Sequence, residues 1–453
     1  MTPIRTALRS FAWLAETLVG PAERSHRLRR RTPSTTGALQ QRLERLLYEN
    51  ILRFWMPRSL DERHGGYIVG FDPDGQTTDP VTKGIVTQAR MLWFFSRLAR
   101  SPVSATFARR PQLLSAAELG YRFLRQRMWD SEHGGFYWQV DRSGTSVLDS
   151  QKHLYGHSFA LYALSEYCLL TKREDAIAFA TEVFDLLESK AHDKAYGGYI
   201  ENFARDWSPA SSSQPPTPGG GASFKLANTH MHLLEAMIAC YEASCLPLVR
   251  DRLLELVTII GHAVIRTGPI ACTDIHEKDW TPRLDRKFDR VVYGHDIEII
   301  YLLMEANRVT GLPDHPYLGL YKALFANALR FGYDRRAGGF FASGPLGRLA
   351  NRREKVWWVQ AEALTGSLRL YELTSDPLYW DAFESVLDFV EAYQVDWNLG
   401  EWHEHIDRLG RPSGAKAHLW KSAYHNGRAA IECLETLRRL EGSAQGESPR
   451  MMN

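Results

Sequence analysis

Two histidines in this chain stand where proton chemistry could be done. Arg290 to Glu298 reads RVVYGHDIE, and His418 to Arg428 reads HLWKSAYHNGR. Each stretch puts a histidine, His295 or His425, at a predicted helix start just after a tyrosine-containing turn. Imidazole titrates near neutrality and suits proton transfer at carbon, so a pair presented this way points to a two-base acid/base site. A single histidine is more often structural. The argument for chemistry is that comparable clusters recur at one place in a repeating unit.

Arg90, Tyr155 with His157, Asn228 with His232, His295 with Glu298, Gln360 with Glu362, and His425 with Asn426 all fall in the first turns of predicted helices. The i, i+4 spacing of Asn228 and His232 and the i, i+3 spacing of His295 and Glu298 keep each pair on one helix face. If every such helix enters from the same end, these groups converge on one pocket floor. Buried there, they must pair with one another or with a ligand.

The elements that would position them form a repeat. His64-Gly65-Gly66-Tyr67, His133-Gly134-Gly135-Phe136, Tyr196-Gly197-Gly198-Tyr199, Ala337-Gly338-Gly339-Phe340 and Leu399-Gly400-Glu401-Trp402 are copies of one motif, with a degenerate copy at Thr273 to Trp280. They recur at intervals of roughly 60 to 80 residues, enough for a helical hairpin and a β-turn. Glycine pairs followed by an aromatic and Asp-x-x-Gly read as short two-stranded hairpins. Between them, runs such as Thr87 to Phe94, Gly156 to Leu164, Ala227 to Glu235 and Val359 to Leu364 are nearly apolar all round. Each precedes a more amphipathic helix, as at Leu113 to Met128, Glu174 to Ser189, Leu248 to Ile265, Pro316 to Phe331 and Pro377 to Tyr393. A buried helix paired with a half-exposed one about six times over predicts an all-α, single-domain (α/α)6 toroid of inner and outer helices, with short hairpins at one end. The predicted divisions are a basic arm at 1–36, the toroid at 37–441 and a polar tail at 442–453.

Composition narrows the function. Lys and Arg number 55 against 53 Asp and Glu, a net charge of +2, which supplies no global field for nucleic acid. Aromatic residues make up 11%, and many of them sit in the hairpins and inner helices, which suits a cavity that stacks on sugar faces. The five cysteines show no CxxC spacing, so neither a disulfide framework nor a zinc knuckle is expected, and a reducing cytoplasm follows. In the N-terminal arm the arginines Arg24, Arg27, Arg29, Arg30 and Arg31 follow the apolar stretch, the reverse of a secretory signal, and no run is long enough to span a bilayer. The Pro/Ser/Gly-rich Ser208 to Ser223 reads as a rim loop, since its glycines lack the Lys-Ser/Thr of a phosphate loop. A metal is not expected: His295-x-x-Glu298 has no second Glu-x-x-His pair, and His230 and His232 face different sides of their helix. A two-carboxylate inverting glycosidase is the competing enzyme class for such a toroid, although histidine recurs at the helix starts here.

GHDIE at Gly294 to Glu298, NTHMHLLEA at Asn228 to Ala236, WWVQAEA at Trp357 to Ala363 and WKSAYHNGRA at Trp420 to Ala429 resemble the cellobiose 2-epimerase branch of the N-acylglucosamine 2-epimerase superfamily, over about Leu39 to Leu440. The resemblance implies cofactor-independent epimerisation at C2 of the reducing-end aldose of a β-1,4-linked disaccharide, through a cis-enediolate. It assigns His295 and His425 as the acid/base pair and Arg90 and His232 to charge on O1 and O2. Glu298 would orient His295, and Asn228 would position a hydroxyl. Tyr155, Glu362 and Asn426 join the substrate-binding set, with Trp358, Trp402 and Trp420 as stacking walls. The implied partner is a small sugar, with no nucleic acid or membrane, bound by a monomer or homodimer. The alternatives that the resemblance leaves open are a free mannose/glucose 2-epimerase, a mannose-type aldose-ketose isomerase and a non-catalytic sugar-binding toroid.

Overall fold

The computed structural model describes residues 34–105, 109–210, 224–284 and 290–444. The predicted arm to residue 33, most of the rim loop (211–223) and the tail from 445 lie outside the described residues. In chain order the long helices are α1, which starts as Thr36–Glu44 and runs on through π-type turns to Arg53–Trp55, α2 (Ile85–Arg100), α3 (Arg110–Phe123), α4 (Leu154–Thr171), α5 (Glu174–Lys190), α6 (Ala227–Ser244), α7 (Pro247–Ile259), α8 (Tyr293–Thr310), α9 (Leu318–Phe331), α10 (Trp357–Thr374), α11 (Pro377–Phe389) and α12 (Tyr424–Ala444).

The even-numbered helices form the inner ring. Each packs on the next, and α12 returns to α2, so the ring closes. These helices are apolar on nearly every side because each is covered by two inner neighbours and one outer helix. The outer helices α3, α5, α7, α9 and α11 each pack on the inner helix before them. The sixth pair joins the two ends of the described chain: α1 packs on α12. The predicted (α/α)6 toroid is therefore the observed one, closed by the first helix of the described residues.

The strand pairing differs from the predicted self-contained hairpins. The strand leading into each inner helix pairs antiparallel with the hairpin of the following repeat: Thr82 opposite Asp141, Lys152 opposite Phe203, Lys225 opposite His276, Arg290 opposite Pro345 and Lys355 opposite Ile406. A bridge between Phe71 and Ala417 closes this collar. The glycine pairs make the tight turn beneath it. Gly134 and Gly135 have φ of +71° and +76°, and a Cβ on Gly135 would lie 2.6 Å from Trp207 and 2.7 Å from His157, so a side chain is excluded by both conformation and space.

Two polar contacts repeat with the turns. Buried lysines two residues ahead of an inner helix reach an aspartate of the glycine turn: Lys83 to Asp61 and Lys152 to Asp130 at 3.0 Å, and Lys225 to Asp193 and Lys355 to Asp334 at 2.8 Å. In four inner helices the fourth residue then accepts the backbone N–H of the aromatic after the glycine pair. Tyr67 donates to Gln88, Phe136 to His157, Tyr199 to His230 and Phe340 to Gln360, at 2.8 to 3.0 Å. His157 and His230 are thus neutral structural acceptors, burial lowering both to about 3. In the fourth repeat Val291 takes the lysine position, and Asp296 accepts the Cys272 N–H at 2.8 Å instead. Asp130→Ala should cost about 3–5 kcal/mol by urea denaturation, because it strands the Lys152 ammonium at 0% exposure. A loss below about 1 kcal/mol would show that these pairs do not fasten the collar.

Candidate active site

With the fourth residue of each inner helix committed to the collar, the neighbouring positions face the lumen. The sixth residues are Arg90, Phe159, His232, Glu298 and Glu362, and, counting α12 from Ala423, Arg428. The second residues include Tyr155, Asn228 and Trp358, while His295 and His425 share the third position on that same count. One indole joins the two histidines: the Trp358 ring lies 5.0 Å from the His295 ring and 5.7 Å from the His425 ring.

Each of these imidazoles is held at Nδ1 by a carboxylate. His425 Nδ1 is 2.7 Å from Glu362 Oε1, and His295 Nδ1 is 3.2 Å from Asp274 Oδ1. A donor N–H at Nδ1 leaves Nε2 as the free nitrogen of each ring. The electrostatics then separate them. Burial, then the Arg90 and Arg428 charges, hold His425 well below the ordinary imidazole range. Burial also pulls on His295, but the charge and hydrogen bond of Asp274, with Glu298 and Asp296, raise it. One imidazole is neutral and the other biased toward its protonated form.

Arg428 organises the floor. It is fully buried, and its Nη2 donates to Glu298 Oε1 and Glu362 Oε2, each at 2.6 Å. Its Nη1 donates to the Tyr424 hydroxyl at 2.6 Å and to Glu235. Glu235 in turn receives Tyr424 and lies 3.2 Å from His232 Nδ1. Burial would raise the Glu235 carboxyl, but Arg428, His232 and Tyr424 hold it at about 2. Burial keeps Glu362 above its ordinary value despite Arg428. His232 and His425 therefore hang from one guanidinium through Glu235 and Glu362. The ligand atoms of Glu298, Glu362 and His425 lie within 4.8 Å of one another, a spacing that could gather round a cation, but Arg428 already supplies the positive charge to both carboxylates.

Arg90 forms the wall beside them. It stacks over Phe159 at 4.2 Å, donates to the Trp420 carbonyl at 2.6 Å and meets the Tyr155 hydroxyl at 3.0 Å, on which Asn228 also acts. Half-buried Trp420 continues the aromatic surface to Tyr155 at 5.8 Å and Trp138 at 5.9 Å. Two expected binding residues lie elsewhere. Asn426 occupies the fourth position, is fully buried and donates to Glu401 at 2.7 Å, so it fastens the last glycine turn. Trp402 follows that turn, as Tyr67 and Phe136 follow theirs, and is 1% exposed in the core. The residues missed by the sequence reading are Arg428, Glu235, Tyr424 and Asp274. Arg428 and Glu235 each lie three residues after a site histidine, the same-face spacing that should have flagged them. Asp274 sits in the degenerate hairpin and carried no such signal.

Paired histidines against a tryptophan, in the lumen of a closed (α/α)6 ring, define a candidate acid/base site. The sequence profile of the N-acylglucosamine 2-epimerase (GlcNAc 2-epimerase) family matches residues 66–429. Cellobiose 2-epimerase of Dictyoglomus turgidum is 31% identical over 402 residues, covering 87% of this chain and 97% of that one. D-mannose isomerase of Marinomonas mediterranea is 26% identical over 401 residues, 86% of this chain and 95% of its own. The structure of cellobiose 2-epimerase from Bacillus thermoamylovorans superposes with a TM-score of 0.80 at 28% identity, covering 88% of this chain and 99% of that one. The chain belongs to the N-acylglucosamine 2-epimerase family, on its cellobiose 2-epimerase branch, and is an isomerase.

Replacing Asp274 by Asn removes the charge that raises His295. In an NMR pH titration of the ring nitrogens, His295 should then titrate at lower pH than in the unsubstituted protein. An unchanged midpoint would show that Asp274 does not set it.

Proposed function

We propose that the protein epimerises the reducing-end aldose of a β-1,4-linked disaccharide at C2, with His425 and His295 as the two proton-transfer groups. The observation that carries this is the paired geometry: two imidazoles at one indole, each with Nδ1 on a carboxylate and Nε2 free. In the open-chain sugar, neutral His425 takes the C2 proton. The C2–H electron pair becomes the C1–C2 double bond while the carbonyl pair moves to O1, giving a cis-enediolate. Rotation about C2–C3 turns its other face to protonated His295, which returns a proton to C2 as the O1 charge reforms the aldehyde. The reverse reaction exchanges the two roles. Arg90 supplies positive charge, Arg90 and His232 supply donors for O1 and O2, and Asn228 with Tyr155 positions a hydroxyl. Glu298, held by Arg428, lies near enough to act on both histidines electrostatically.

The disaccharide reading rests on the aromatic wall. Trp358, Trp420, Trp138 and Tyr155 offer more stacking surface than one pyranose covers, and the cellobiose 2-epimerases are among the similar proteins. The opposing reading is a free-hexose enzyme, favoured by the similarity to D-mannose isomerase. Among the described residues no helix is long and apolar enough to cross a membrane, and all five cysteines are free, which suits a reducing cytoplasm.

Incubation with cellobiose should yield glucosyl-mannose, with kcat/KM above that for mannose. His295→Ala and His425→Ala should each lower turnover by roughly 10²–10⁴-fold with circular dichroism unchanged. A kcat/KM favouring mannose by about tenfold or more would replace the disaccharide with a free hexose. Near-full turnover in either variant would end the two-histidine mechanism.

A further inference from the structure

The far end of the inner ring encloses a second cavity of about 490 Å³, within the range of small-molecule sites. It is lined by the later turns of the inner helices, with seven glutamates against five arginines. Arginines bind the carboxylates in sequence round the ring: Arg97 takes Glu432 and Glu435 at 2.9 and 2.7 Å, Arg100 takes Glu166 at 2.6 Å, and Arg369 takes Glu305 at 2.7 Å. Such a ring could be purely structural. Its floor argues otherwise.

Tyr162 and Tyr301 line the cavity at 8% and 6% exposure, and among the described residues neither hydroxyl has a hydrogen-bond partner. Glu432, at 8% exposure, is bound by Arg97 through Oε1 alone, leaving Oε2 without a donor. All three line this cavity, each from a different inner helix, and make up its floor. Hydroxyls and a carboxylate oxygen that face the cavity without a protein partner leave acceptors free for a ligand with several N–H donors. A bare metal ion does not suit this floor: among the described residues only Glu298, Glu362 and His425 bring three ligand atoms within 4.8 Å of one another, and they lie at the other end. The excess of carboxylates excludes an anion.

We propose that this cavity binds a small aliphatic cation with primary ammonium groups, one ammonium lying among Glu432 Oε2 and the Tyr162 and Tyr301 hydroxyls. A second ammonium meets the more exposed rim, where Glu242 and Glu372, at 30% and 24% side-chain exposure, pair with the solvent-exposed Arg308 and Arg439. The site is separate from the sugar pocket but shares a wall with its scaffold, since Glu235 both lines the cavity and binds Arg428.

Isothermal titration calorimetry of the full chain with 1,4-diaminobutane tests this, with 1,4-butanediol as the uncharged control. The expected result is saturable binding of the diamine and none of the diol, with affinity lowered about tenfold or more in both Tyr301→Phe and Glu432→Gln. Phenylalanine keeps the ring packing and glutamine the side-chain shape, so both variants should fold, which their thermal midpoints check. No saturable heat with the diamine, or an affinity unchanged in folded Glu432→Gln, would overturn the proposal.

Discussion

A single guanidinium, Arg428, holds the candidate catalytic end of this molecule in place. Three carboxylates buried close together repel one another and are expensive to desolvate, and they are tolerated because a fully buried cation lies among them. The arrangement also sets geometry. Glu362 and Glu235 are each gripped on one side by Arg428 and present their other oxygen to His425 and His232. The imidazoles are thereby aimed before any sugar enters, and the protein does not have to reorganise as charge develops on the substrate oxygens.

That hub can exist because the repeat divides labour along each inner helix. The fourth residue fastens the glycine turn of the collar, and the positions on either side are left to the lumen. The fourth repeat departs from the rule at both fastening contacts: it lacks the buried lysine, and Asp296 replaces the amide or imidazole acceptor. Burial raises the Asp296 carboxyl to about 7. The departure coincides with one of the two candidate acid/base histidines. His295 stands beside Asp296, and the irregular hairpin places Asp274 against it. The regular repeats supply rigidity, and the irregular one supplies a histidine with its own counter-charge.

The fold was legible because it is written redundantly: glycine pairs, all-round apolar helices and amphipathic partners recur often enough to give the closed inner ring and its outer helices. Strand pairing was less legible, because a two- or three-residue strand carries no signal for which neighbour it joins. Of the site, His232, His295, His425, Arg90, Glu298 and Glu362 could be found from position alone, and Trp358 from the family resemblance. Asn426 misled because it adjoins His425 in sequence while pointing to the next layer, and Trp402 because an aromatic after a turn looks alike whether it faces a pocket or the core. Arg428 was overlooked as a mere motif residue. Its importance lies in contacts to Glu235, Glu298 and Glu362, whose sequence separations of up to 193 residues leave no local trace.

The central claim is that the C2 hydrogen passes through histidines open to exchange with water, and isotope content at C2 addresses it directly. With cellobiose turned over in D₂O and the epimer isolated, NMR should show deuterium at C2 of the product. Product that keeps protium at C2, through full conversion, would contradict proton transfer by His295 and His425 and require the hydrogen to be moved without release.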